Sequence, residues 1–107
     1  MPADQRSKTY VGILNEEFGG MTPTGAIVKD AWTFGLIPET ETCEGWDANR
    51  LQVLYEKTSD LWSQYGYRVA NLPEEMRERH ERIHQEAMVR ARELGWRPDA
   101  LIDAEEN

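Results

Sequence analysis

Cysteine is nearly absent from this sequence, since Cys43 is the only one among 107 residues. A single cysteine cannot form a disulfide within the chain, so the fold must be stabilised by packing. Chains without disulfides are typical of reducing compartments. The sequence therefore favours a cytoplasmic location.

A long hydrophobic run is also missing. The longest stretch without a charged residue ends at Val28 and is interrupted by Gly19, Gly20 and Pro23. A helix that spans a bilayer needs about 20 mostly apolar residues. We therefore expect no transmembrane helix, no signal peptide and no membrane partner.

Positive charge is scarce, with 12 basic against 20 acidic residues and a formal net charge of −8. Much of the excess of acidic residues lies in two segments. One runs from Glu39 to Asp47, and the other comprises residues 99–107, which we interpret as an acidic tail. The Gly19-Gly20 turn between two short predicted helices suits a helix-turn-helix protein, but the second of these helices carries a single lysine. Proteins that contact phosphates need a basic surface, so we expect no nucleic-acid partner.

Glycine marks the ends of the predicted helices. Four times a large apolar residue precedes glycine, and another apolar residue follows within two positions. Glycine enters the left-handed conformation without a Cβ clash, and the next apolar residue can pack back on the last turn. The sequence predicts an all-α, compact four-helix domain over residues 1–98, with helices at about 7–18, 22–34, 47–65 and 72–94.

Most of these helices have a start signal. Thr22 followed by Pro23 is a favoured N-terminus, and Asp47 and Ser7 are candidate N-caps. The first helix has an alternative, because residues 10–14 also fit a strand, although nothing else in the sequence offers that strand a partner.

His80 and His84 are the only histidines, and they lie one turn apart on the last predicted helix. This spacing places both imidazoles on one face, as zinc, copper and iron sites require. The string His-Glu-Arg-Ile-His also fits the zinc-protease pattern, in which the glutamate, here Glu81, acts as general base. The alternative is a purely structural role, in which His80 belongs to the apolar face of the last helix that packs in the core and His84 lies at the edge of that face.

Cys43 has two interpretations. It precedes the third helix but is surrounded by glutamates, which raise the pKa of a thiol and disfavour nucleophilic chemistry. It is therefore a small packing residue, or a third metal ligand if its loop folds over the last helix.

The second helix has a wide apolar face and should be buried on two sides. Val28 and Trp32 form a candidate interaction surface with Leu36 and Trp46, which lie in the loop from Leu36 to Asp47, called the acidic loop below. This surface would bind a protein partner or a second copy of the chain. The alternative is that Trp32 is core and Trp46 only packs against the next helix.

The sequence contains no phosphate-binding glycine loop, nucleophile elbow or paired catalytic carboxylates. We therefore expect a small acidic binding or accessory protein, not an enzyme, that acts through protein contact and needs no cofactor. The alternative is a protein that binds a divalent metal through His80 and His84. In a more distant form of this alternative, the protein is a metal-dependent hydrolase.

Overall fold

The computed structural model describes residues 9–97 and is helical. Its three α-helices are α1 (Pro23–Phe34), α2 (Ala48–Gln64) and α3 (Glu74–Glu93), and two short 3-10 turns cover Ile13–Asn15 and Val69–Asn71. Residues 9–97 contain no β-strand. None of their helices is both long and apolar enough to cross a membrane. The predicted cap at Ser7 and the acidic residues 99–107 lie outside the described part of the chain.

The start of α1 follows the sequence signals. The Thr22 hydroxyl accepts a hydrogen bond from the Gly25 amide at 2.9 Å, and Pro23 occupies the first helical position. Gly35 ends the helix in the left-handed conformation, with φ of 73°. The predicted helix over residues 22–34 is confirmed.

The other two long helices are also confirmed. The Asp47 carboxylate caps α2 by accepting a hydrogen bond from the Arg50 amide at 2.8 Å, and Gly66 follows the helix with φ of 64°. In α3, two glutamates lie in the first turn and two arginines in the last, where they complement the helix dipole. Gly95 follows this helix with φ of 100°.

The predicted first helix, residues 7–18, is wrong over its described part. Residues 9–12 are not helical, and only Ile13–Asn15 form a short 3-10 turn. Tyr10 exchanges backbone hydrogen bonds with the loop before α2: its amide donates to the Trp46 carbonyl at 2.9 Å, and its carbonyl accepts from the Gly45 amide at 2.8 Å. The strand alternative for residues 10–14 is not realised either, although the acidic loop pairs with Tyr10 through these two hydrogen bonds. Residues 9–97 therefore contain three long helices where four were predicted for the domain.

The Gly19-Gly20 pair joins this N-terminal segment to α1 and does not end a helix. Both glycines have positive φ, 65° and 114°. A Cβ on Gly25 would lie 2.4 Å from the Gly20 carbonyl oxygen, so the turn and the first turn of α1 touch backbone to backbone. Arg90 of α3 donates two hydrogen bonds, at 3.2 and 3.1 Å, to the Gly19 carbonyl. The turn therefore links the N-terminal segment to α3 as well as to α1.

Helix α1 is central and packs against both α2 and α3. The core around it draws on every long helix, the N-terminal segment and the acidic loop. Its buried members are Ile13, Val28, Ala31, Trp32, Cys43, Leu54 and Ile83. The prediction that this helix is buried on two sides is confirmed.

This packing corrects the predicted interaction surface. Val28 is fully buried and Trp32 is 8% exposed within the single chain. The Trp32 indole N–H donates to the Glu41 carbonyl at 2.9 Å. The acidic loop and the segment containing Ile13 supply the packing that three other helices were expected to lack. The alternative, that Trp32 is a core residue, fits the structure.

Candidate metal site

Three side chains that can bind metal meet between α1 and α3. Asp30 comes from α1, and His80 and His84 come from α3. One ligand atom from each lies within 4.8 Å of those of the other two. The two imidazole rings have centroids 4.1 Å apart and are tilted by 31°. We call these three residues the Asp-His-His cluster.

The helical register of α3 explains where the histidines point. Residues three or four apart lie on one side of a helix, and the buried residues Ile83, Ala87 and Ala91 define the side that faces the core. His80 and His84 flank Ile83 on this side and are both half-buried. They are therefore directed toward α1 and not toward solvent.

Asp30 is oriented by a residue of α2. The Trp62 indole N–H donates to Oδ2 of Asp30 at 3.1 Å. The same indole ring meets the His80 ring edge to face, with centroids 5.9 Å apart and an interplanar angle of 89°. A hydrogen bond to one carboxylate oxygen fixes the side chain and leaves the other oxygen available, which is how outer residues commonly position metal ligands.

Burial controls the charge of these groups. It lowers the pKa of His84 to about 4, with the nearby His80 as a second cause. Burial also lowers the pKa of His80, although the Asp30 charge opposes that change. The pKa of Asp30 is raised, again mainly by burial, while the hydrogen bond from Trp62 acts in the other direction. At neutral pH both imidazoles are neutral, which is the form that binds metal.

The Nε2 atom of His84 is buried and has no hydrogen-bond partner among the described residues. A buried polar atom without a partner costs free energy, roughly 1–3 kcal/mol, and is rare in folded proteins. The neighbouring Lys29 is also buried, and desolvation lowers the pKa of its ammonium group. The cluster is thus a polar region inside a small core, and its polar groups are incompletely satisfied.

The histidine pair was predicted from the sequence, but the third member was not. Cys43 belongs to no such cluster among residues 9–97. It lies in the hydrophobic core, and burial raises the pKa of its thiol to about 11. Its role as a packing residue fits this placement, whereas the proposed third-ligand role does not. Glu81 is exposed and lies outside the cluster.

Asp30 carried one usable sequence signal. It is the only acid on α1, a helix predicted to be buried on two sides. A charged residue on such a helix has little access to water, so it needs a polar partner from another element. The sequence could not show which element supplies that partner, because this depends on how α3 crosses α1.

The remaining predicted interaction residues lie on another face. Leu36 and Trp46 are half-buried and line an open cavity of about 410 Å³ together with residues of α2. We call it the α2 groove. Its apolar lining is Leu36, Ile37, Trp46, Val53 and Leu54. Two of the four residues predicted to form an interaction surface are therefore brought together, while Val28 and Trp32 are not.

No protein family, curated protein or solved structure matches this chain.

Proposed function

We propose that the protein binds a divalent transition-metal ion, best fitted by zinc, through Asp30, His80 and His84. The observation that carries the proposal is the convergence of one carboxylate and two neutral imidazoles within 4.8 Å, with Nε2 of His84 buried and unpaired among the described residues. Metal coordination would satisfy that nitrogen.

The donor set selects the class of metal. Calcium and magnesium prefer oxygen ligands, whereas imidazole suits zinc, copper, iron and nickel. A tetrahedral zinc ion with bonds of about 2.0–2.1 Å places its ligand atoms roughly 3.4 Å apart. Side-chain movements of about an ångström would bring the Asp-His-His cluster to that geometry, with a fourth position left for water or another ligand.

Metal would also link the central helix to α3. Asp30 lies on α1 and both histidines lie on α3, so the ion would bridge two elements of the core. Binding is better supported than hydrolysis. Glu81, the residue that the protease pattern would use as a base, is exposed and outside the cluster. The α2 groove is not lined by any member of the cluster.

The test is thermal unfolding with and without zinc, compared with the same measurement on Asp30→Asn, His80→Ala and His84→Ala. A ligand that binds only the folded state stabilises it by RT ln(1 + [L]/Kd), which is about 2.7 kcal/mol at a concentration of 100 Kd. We expect zinc to raise the melting temperature of the wild-type protein and to lose this effect in each variant.

The matched control is Gln85→Ala, an exposed change on α3 next to His84. It should keep the full zinc-dependent rise, because it removes no member of the cluster. The comparison uses the shift caused by zinc in each variant, so a change in basal stability does not obscure the result. Equal shifts in the wild type and the three cluster variants would contradict the proposal.

A further inference from the structure

The α2 groove combines an apolar floor with positive charge in a strongly acidic protein. Its lining includes Leu54, which is buried, and Val53, which is 50% exposed. Arg50 and Lys57 also line it, and no acidic residue does. The whole chain has a formal net charge of −8. A local cationic apolar surface therefore contrasts with the rest of the molecule.

The two cations have no acidic partner in the part of the chain that the structure describes. Within residues 9–97, Arg50 and Lys57 form no salt bridge. The Arg50 guanidinium lies over the Trp46 ring, with its central carbon 3.9 Å from the ring centroid. This stacking orders the guanidinium plane and leaves its N–H edges able to bind a carboxylate.

The spacing of the two cations sets the length of a matching ligand. Arg50 and Lys57 are seven residues apart on α2, which is about 10.5 Å along the axis at 1.5 Å per residue. Val53 lies between them on the same side of the helix. Carboxylates with a similar separation occur at positions i and i+7 of a helix or i and i+3 of an extended peptide.

We infer that the α2 groove binds a short segment of a partner protein in which apolar side chains are flanked by acidic residues. The apolar side chains would cover Trp46, Val53 and Leu54, and the flanking carboxylates would pair with Arg50 and Lys57. Complementary charge of this kind sets orientation and suppresses wrong partners. This inference is independent of the metal proposal, since the groove contains no member of the Asp-His-His cluster.

The test selects binders from a random library of 12-residue peptides displayed on phage, with the full-length protein as bait. We expect enriched peptides to share apolar residues flanked by aspartate or glutamate. The best peptide, made synthetically, should bind at least tenfold more weakly to the double variant Arg50→Glu/Lys57→Glu. Its affinity for the wild-type protein should fall as salt is added.

The matched control is Arg92→Glu/Arg97→Glu, which changes the net charge equally at two exposed positions outside the groove. It should keep the wild-type affinity within about twofold. A further variant, Arg50→Gln/Lys57→Gln, should show an intermediate loss. Circular dichroism checks that all variants keep their helices.

Three results would overturn the inference. The first is failure to enrich any peptide, or enrichment of peptides without an acidic excess. The second is an equal loss of affinity in the groove and control variants. The third is a wild-type dimer, seen by sedimentation equilibrium, that dissociates only in the groove variants, because the groove would then be occupied by a second copy of the chain.

Discussion

His80 and His84 lie one turn apart on α3 with ring centroids separated by 4.1 Å. Two imidazolium ions so close in a half-buried position would repel each other, and burial already disfavours the charged form of each. The structure therefore favours the neutral form of both imidazole rings.

The first prediction concerns pH and the metal-free protein. His84 has a folded-state pKa of about 4, below the 6.5 of an unperturbed histidine. Between these values the unfolded state binds more protons than the folded state, so the free energy of unfolding falls as the pH is lowered. We expect the melting temperature to fall from pH 7 to pH 5, and to fall less in His84→Leu, which cannot be protonated.

Asp30 contributes a pH dependence of stability with the opposite sign to that of His84, so it serves as a check. Its raised pKa gives a contribution that is present below pH 3.8 and is lost as pH rises through the folded-state value. Asp30→Asn should therefore raise the free energy of unfolding near neutral pH, where the buried carboxylate of the wild type is ionised, and change it little at acid pH, where that group is protonated. A wild-type profile that is flat from pH 7 to pH 5 would show that the histidines are not buried as described.

The second prediction separates Cys43 from the metal. Cobalt(II) is a spectroscopic substitute for zinc, and thiolate ligation to it gives an intense near-ultraviolet charge-transfer band. We expect visible ligand-field bands for the cobalt-loaded protein and no such thiolate band, because Cys43 lies in the core outside the cluster. Cys43→Ser should keep the spectrum, and a thiolate band lost in this variant would restore Cys43 as a ligand.

The third prediction concerns the contact between Gly20 and Gly25. Replacing glycine by alanine inside a helix usually stabilises it, by roughly 0.5–1 kcal/mol. Here the new Cβ would lie 2.4 Å from the Gly20 carbonyl oxygen, so the backbone must move. We expect Gly25→Ala to destabilise the protein by about 1–3 kcal/mol in urea unfolding.

The neighbouring exposed position provides the control. Ala26→Gly makes the reverse change where the side chain faces solvent, and its cost should be only about 0.5–1 kcal/mol. If Gly25→Ala proves neutral or stabilising, α1 does not approach the Gly19-Gly20 turn as closely as described.

The fourth prediction concerns Trp32 as a core residue. Trp32→Phe removes the hydrogen bond from the indole to the Glu41 carbonyl and leaves a gap, so it should cost about 1–3 kcal/mol. Trp46→Phe is the matched change at a half-buried tryptophan whose indole N–H donates to no described residue, and it should cost less. Equal costs, or a Trp32 change that dissociates an assembly without loss of stability, would contradict this placement.

The sequence predicted the helices well where a local signal acted alone. Each of three helix caps, Thr22, Gly35 and Asp47, bonds only to residues a few positions away in the sequence. The two ends of α1 and the start of α2 could therefore be located from local sequence alone. The apolar width of α1 likewise predicted its central position.

The N-terminal segment was misjudged because its partner is distant in sequence. Tyr10 lies in a helix-like pattern, yet its backbone bonds to Gly45 and Trp46, more than 30 residues away. The same limit applied to the site. One helix face shows that His80 and His84 are neighbours, but Asp30 joins them only through the packing of α1 against α3.

Anomalous diffraction from crystals of the zinc-loaded protein tests the metal proposal most directly. We expect one strong zinc peak between α1 and α3, at about 2.0–2.2 Å from an Asp30 oxygen and from one nitrogen each of His80 and His84. The peak should be absent from crystals of His84→Ala grown in the same way. A wild-type structure with no zinc at these residues, or with zinc only at surface carboxylates, would contradict it.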